Sequence, residues 1–238
     1  MAQSDNHEPI FPLLQDSLQK DPLSDAISCE TILNGNGWLL RNSLTKEECK
    51  ALIEVTEKRG YVNADEYCYQ YRDRLNDRLM SDDHELSLFL WDRVKKFVPE
   101  NISYGSTLCN KPRLNRRFRI CRYIGGKNHY FGPHTDGIYP ESKHSMSVVT
   151  CMFYLNDSSE FTGGLTNFLK LDDKSVTLSV KPEAGLCLIF RQNNVENCLH
   201  EGTMVEEGSK YIMRTDIIYS IDFAGMQKRP AKKWPNVM

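Results

Sequence analysis

At 238 residues, with 40% hydrophobic and 26% charged side chains, the chain has material for one domain with a sizeable core. A net charge of −2 and an isoelectric point near 6.3 supply no global field for nucleic acid or an acidic membrane. Eight cysteines without a C-x-x-C pair read as buried thiols in a reducing compartment, which makes cytosol the expected location and leaves the nucleus open.

In chain order, residues 1–28 are polar, carry Pro9, Pro12 and Pro22, and read as a loosely packed N-terminal arm without the pattern of a secretory signal. "GWLLRN" (37–42) predicts a short strand. "SLTKEECKALIEVTEKRG" predicts a helix: Thr45 and Glu48 have capping-box spacing, Cys49, Leu52, Ile53 and Val55 form an apolar side, and Gly60 can end it. A second helix fits "SDDHELSLFLWDRVKKFVP", capped by Ser81 or Asp82 and stopped by Pro99. Its apolar stripe is Leu86, Phe89, Leu90, Val94 and Phe97. No apolar run approaches a membrane span.

From about residue 117 the period becomes strand-like. "FRICRYI", "SVVTCMFYL", "LTNFLKL", "SVTLSV", "GLCLIF" and "KYIMRTDIIYSI" are β-rich and separated by turn residues; Gly163 and Gly164 mark a tight strand entry. Helices first and strands after predict an α+β, mainly β fold: an antiparallel sandwich or barrel supported by helices. Residues 225–238 form a basic C-terminal tail.

His134 and Asp136 are two apart, so on a strand they share a face and can share an ion. Of the other histidines, His7 lies in the arm, and His84, His129 and His144 sit in polar stretches that read as exposed. His200 follows a strand and a turn, so a folded sheet can bring it to the H-x-D pair. Two imidazoles and one carboxylate on one side of an ion suit non-haem Fe(II), and the lack of thiolate ligands argues against structural zinc.

Lys210 and Arg214, four apart, face the same side of a strand with Ile212 and Asp216. Cations within so apolar a strand need an anion, either Asp216 or a bound dicarboxylate such as a 2-oxo acid. Arg117, Arg119, Cys121 and Tyr123 share another face; Arg119 is either a pocket residue or a surface ion pair. Arg72 and Arg74 read as surface ion pairs.

The order Tyr123, "HTD", "TCMFYLN", "GGLTNF", "GLCLIF", His200 and Lys210 resembles the Fe(II)/2-oxoglutarate-dependent dioxygenase superfamily, in its prolyl 4-hydroxylase-like branch. The resemblance implies a double-stranded β-helix (jelly-roll) core at about 117–221, within a single domain over 29–224. It implies that His134, Asp136 and His200 hold iron and act as the catalytic centre. Lys210 would pair with the 5-carboxylate of 2-oxoglutarate, Tyr154 would donate its hydroxyl to the same group, and Tyr123 would lie near the co-substrate. Arg214 departs from the branch's pattern and would contact the 1-carboxylate or a charged substrate group.

The expected activity is hydroxylation of an unactivated C–H bond with Fe(II), 2-oxoglutarate and O₂, releasing succinate and CO₂, with ascorbate a candidate reductant. The expected substrate is a peptidyl or protein residue, as in prolyl 4-hydroxylases. Alternatives are a free amino acid, a small carboxylic acid or an N-methylated nucleobase; neither nucleic acid nor a membrane is an expected partner. A zinc hydrolase with the same ligands leaves Lys210 and Arg214 unexplained. A non-catalytic jelly-roll module would need no intact triad.

Overall fold

A computed structural model describes residues 7–18, 26–63 and 73–222. Arg72, Cys68, the basic tail over 225–238 and parts of the N-terminal arm lie outside the described residues. In chain order the elements are β1 (Ser28–Ile32), β2 (Gly37–Arg41), α1 (Lys46–Arg59), β3 (Val62–Asn63), β4 (Arg74–Leu75), β5 (Asp77–Asp82), α2 (His84–Val94), β6 (Asn101–Tyr104), β7 (Thr107–Leu114), β8 (Arg117–Ile124), β9 (Tyr130–His134) and β10 (Pro140–Ser142). There follow β11 (Ser145–Tyr154), β12 (Phe161–Gly163), β13 (Thr166–Leu169), β14 (Val176–Val180), β15 (Cys187–Arg191), the single turn α3 (Val195–Cys198), β16 (His200–Gly202) and β17 (Val205–Asp222).

The strands form a large sheet with the path β1-β2-β15-β11-β17-β8-β5-β3 and a small one ordered β14-β13-β16-β9-β4; among the described residues the strand pairings are antiparallel. Together they make the jelly-roll core. Period-two alternation in the large sheet separates two apolar layers. On β8, Phe118 and Ile120 point to the helices, while Cys121 and Tyr123 point between the sheets. On β11, Cys151 and Phe153 take the helix side, and Met152 and Tyr154 the inner side. A central strand covered on both faces needs a continuous apolar run, and β11 supplies one.

The helices support that outer layer. The Thr45 hydroxyl accepts from Glu48 N–H and the Glu48 carboxylate from Thr45 N–H, so the expected capping box opens α1. Glu48 also receives both ends of the Arg93 guanidinium, at 2.6 and 2.7 Å, in a pair with almost no solvent contact. This pair joins α1 to α2. The cap of α2 is Asp83 and not Ser81 or Asp82: its Oδ1 accepts from Leu86 N–H, while Asp82 belongs to β5 and pairs with Arg117.

Asp83 Oδ2 has a second task. It accepts from the N–H groups of Ile10 and Phe11, both at 2.7 Å, and Ile10 and Leu14 are buried in the outer core. Residues 7–18, read from sequence as part of a loose arm, are therefore docked, because two apolar side chains and a shared cap outweigh the polar composition around them. The seven described cysteines are free, and six of them are buried.

Candidate active site

The small sheet sets His134 and His200 directly opposite one another on β9 and β16. Asp136 lies just past β9, where its carbonyl accepts from Asn193 N–H. One ligand atom from each of the three residues falls within 4.8 Å of the others, close to the span that metal bonds of about 2.0–2.2 Å can reach.

Local contacts prepare each donor. Nδ1 of His134 donates to Gly132 O at 2.8 Å, and Nδ1 of His200 to Cys198 O at 2.9 Å. A carbonyl can only accept, so both rings carry their proton on Nδ1 and leave the Nε2 lone pair for an ion. Burial, followed by the neighbouring His200, lowers His134 to about 3, and burial lowers His200. Both imidazoles are thus neutral. Burial alone would raise the Asp136 carboxyl, but Arg214 beside it, together with the Thr150 hydrogen bond, holds it below the usual carboxylate range. Two neutral imidazoles and an ionised carboxylate are a donor set that fits Fe(II).

The opposite wall of the cavity comes from the inner face of the large sheet. Arg119, Cys121 and Tyr123 of β8, Thr150 and Met152 of β11, and Lys210, Ile212 and Arg214 of β17 line it. Lys210 is buried, with only 4% of its surface exposed. Its Nζ donates to Gly164 O at 2.7 Å and forms no ion pair among the described residues; burial lowers it to about 7. Gly163 and Gly164 allow this contact. Both have positive φ, and a Cβ on Gly163 would meet Met204 O at 2.1 Å.

Arg214 answers differently to the question of its partner. Its Nη2 is 3.0 Å from Asp136 Oδ1 and 3.4 Å from Asp216 Oδ1. Asp216 therefore neutralises part of the strand, but it does not serve Lys210. Arg119 reaches the cavity and also pairs with Asp216, at 3.1 Å.

Some placements differ from those expected. His129 is buried, not exposed, and its Nδ1 accepts from Ile124 N–H at 3.0 Å, a structural role away from the triad. Tyr154 stands behind Thr166, to which its hydroxyl donates at 2.8 Å, and Thr166 lines the cavity in its place. Arg74, read from sequence as a surface residue, is half-buried and borders the cavity, its guanidinium 4.4 Å from the centre of the Phe131 ring, which in turn stacks on His134.

Sequence reasoning missed Thr150, whose hydroxyl donates to Asp136 Oδ2 at 2.6 Å, and Gln192, which donates to Thr150 and Asp216. Thr150 interrupts the apolar run from Val148 to Phe153, the single signal that could have found it.

The profile of the 2OG-Fe(II) oxygenase superfamily matches residues 118–215, the stretch that holds all three candidate ligands, Lys210 and Arg214. Residues 118–215 thus carry a 2OG-Fe(II) oxygenase domain. This oxygenase is a 2-oxoglutarate-dependent dioxygenase, and its cofactor and co-substrate are Fe(II) and 2-oxoglutarate. Comparison with curated proteins finds no match.

Among solved structures, the oxygenase is similar to a viral collagen prolyl hydroxylase from Paramecium bursaria Chlorella virus-1 in complex with 2-oxoglutarate. The TM-score is 0.55 at 21% identity, over 79% of this chain and 98% of that one. A Trichoplax adhaerens prolyl hydroxylase in complex with a hypoxia-inducible factor peptide fragment gives a TM-score of 0.55 at 17% identity, over 81% and 87%. A Pseudomonas putida prolyl 4-hydroxylase gives 0.50 at 12%, over 78% and 91%. At these identities the likeness establishes a shared fold.

Proposed function

We propose that this oxygenase hydroxylates a peptidyl or protein residue in the manner of a prolyl 4-hydroxylase, within a single catalytic domain over residues 29–224. The observation that carries the reading is a buried lysine that forms no ion pair among the described residues and lines the same cavity as a triad of metal-ligand type. A buried cation of that kind wants an anion, and a dicarboxylate whose other end chelates a metal answers both needs. The similarity to prolyl hydroxylases, one of them carrying a peptide, supports the substrate class.

In this reading His134, Asp136 and His200 hold Fe(II) through two Nε2 atoms and a carboxylate oxygen. Bound Fe(II) supplies the activation of O₂, coupled to loss of CO₂ from 2-oxoglutarate. The chain does the rest. Lys210 neutralises the far carboxylate of 2-oxoglutarate, and Thr166, its lone pair taken by the Tyr154 hydroxyl, is left to donate its own proton into the pocket. Tyr123 forms the wall beside Lys210, their separation being 5.6 Å from Nζ to ring centre. Arg214 and Thr150 hold the two oxygens of Asp136 in place, so the carboxylate stays ionised and oriented. Met152, Phe190 and Ile212 keep the inner wall apolar and exclude water.

Incubation of the Fe(II) protein with 2-oxoglutarate, O₂ and a panel of proline-containing peptides tests this. The expected result is succinate formed with a peptide that gains the mass of one oxygen atom. Stimulated succinate formation by free amino acids or small acids, with no peptide modified, would replace the peptidyl substrate by the small-molecule alternative.

A further inference from the structure

The outer end of the cavity is built differently from the Lys210 end. Arg119 and Arg214 are register partners on β8 and β17, and both reach Asp216. Asp216 is 2% exposed, and its Oδ1 also accepts from Gln192 Nε2 at 2.7 Å. Its carboxylate is therefore fully engaged in holding the two guanidinium groups. The arginine side chains keep 23% and 18% of their surface open, so this end of the cavity meets solvent. Arg214 Nε is buried without a hydrogen-bond partner among the described residues, while Nη2 makes the contacts with Asp136 and Asp216.

Charge points the same way. Fe(II), Asp136, dianionic 2-oxoglutarate and Lys210 sum to zero. Two arginines against Asp216 then leave one positive charge in surplus at the open end. Arg74 and Glu201 also border the cavity, and their opposite charges cancel in this sum. Lys210 and Arg214 are four residues apart on an extended strand, about 13 Å of backbone. A five-carbon diacid that gives one carboxylate to Lys210 and the other to the metal leaves Arg119 for another ligand.

We propose that Arg119 and Arg214, held by Asp216, form an anion subsite that takes one carboxylate of the primary substrate beside the metal centre. This rests on the oxygenase reading above and narrows its substrate class. Planar guanidinium groups match a carboxylate in a paired geometry that a lysine does not reproduce. The carboxylate comes either from an acidic side chain of a peptide or from a small free acid.

The test uses the full chain loaded with Ni(II), which holds the site without turnover, and saturated with 2-oxoglutarate. Calorimetric titrations compare two matched pairs: N-acetylproline with N-acetylprolinamide, and the capped tripeptide Ala-Pro-Glu with Ala-Pro-Gln. The expected result is that the acid binds at least about tenfold tighter than its amide in one pair, as loss of one charge-assisted contact implies. The pair that shows it identifies the source of the carboxylate. Arg119→Gln should abolish that preference while 2-oxoglutarate still binds, which also shows that the variant is folded, and Arg119→Lys should restore only part of it. Acid and amide binding alike in both pairs, or neither binding, overturns the subsite. So does a preference that survives in both Arg119→Gln and Arg214→Gln. The same titrations with Ni(II) alone separate the two claims: a protein that takes up no 2-oxoglutarate overturns the oxygenase reading, while the acid–amide comparison still decides the subsite.

Discussion

Lys210 has a carbonyl, not a carboxylate, against its Nζ, and this single environment drives two expected outcomes. Removing the ammonium by Lys210→Ala should weaken 2-oxoglutarate binding by about ten- to a hundred-fold, from a charge-assisted hydrogen bond worth roughly 1.5–3 kcal/mol, while metal content stays at the wild-type level. Burial places Lys210 at about 7 in the free protein, so the protonated form that a dicarboxylate needs is present below that pH. Affinity for 2-oxoglutarate should hold below about pH 7 and fall by up to about tenfold per unit above it, until the bound-state pKa is reached. Calorimetry of the Ni(II) protein across pH 6 to 9 reads this directly, and Lys210→Arg, always protonated, should flatten the curve.

The histidines separate in the same way. His200→Ala should lose the metal, because two donors remain. His129→Ala should keep it and lower stability by about 1–3 kcal/mol, since Ile124 N–H loses its acceptor. Metal analysis and thermal unfolding of the two variants check this; loss of metal in His129→Ala alone would mean that the third ligand is misassigned.

At the scale of elements, a buried ion pair joins α1 to α2. Glu48 and Arg93 are buried at 0% and 1% side-chain exposure, and Arg93 also donates to Ser43 O. Arg93→Ala leaves a carboxylate buried without its cation and should cost about 3–5 kcal/mol in denaturant unfolding, whereas replacing both partners by apolar residues should cost much less. An Arg93→Ala protein as stable as wild type would show that the pair is not what joins the helices.

The elements also show where sequence reading works. α1 carried its cap and its end in Thr45, Glu48 and Gly60, and β8, β11, β15 and β17 are long enough for a period to show. β3, β4, β12 and β16 have two or three residues, too few for any period, and exist only through their pairing partners. The same limit applies in the site. The H-x-D pair and the Lys210–Arg214 spacing are local and legible. Thr150 on β11 and Thr166 on β13 meet Asp136 and Tyr154, 14 and 12 residues away, and Gln192, just past β15, reaches Thr150 across 42; no local pattern carries that register. The helix 81–99 had its cap misplaced because three consecutive polar candidates compete, and only the pairing of β5 with β8 assigns Ser81 and Asp82 to a strand.

For the whole molecule, the described parts make one assembly in which every layer serves the cavity. The small sheet carries two of the candidate ligands, the large sheet carries the charged wall, and the helices with residues 7–18 brace the large sheet from behind. Among the described residues no helix is long and apolar enough to cross a membrane. The account stands on Fe(II) and 2-oxoglutarate meeting in that cavity through His134, Asp136, His200 and Lys210. The most direct test is succinate formation from 2-oxoglutarate by the Fe(II)-loaded protein, compared with His134→Ala, His200→Ala and Lys210→Ala. The expected result is O₂-dependent succinate production by the wild type, none in either histidine variant, and in Lys210→Ala a rate recovered only at much higher 2-oxoglutarate. Equal succinate production in all four proteins, or none in the wild type with one Fe(II) bound per chain, would contradict it.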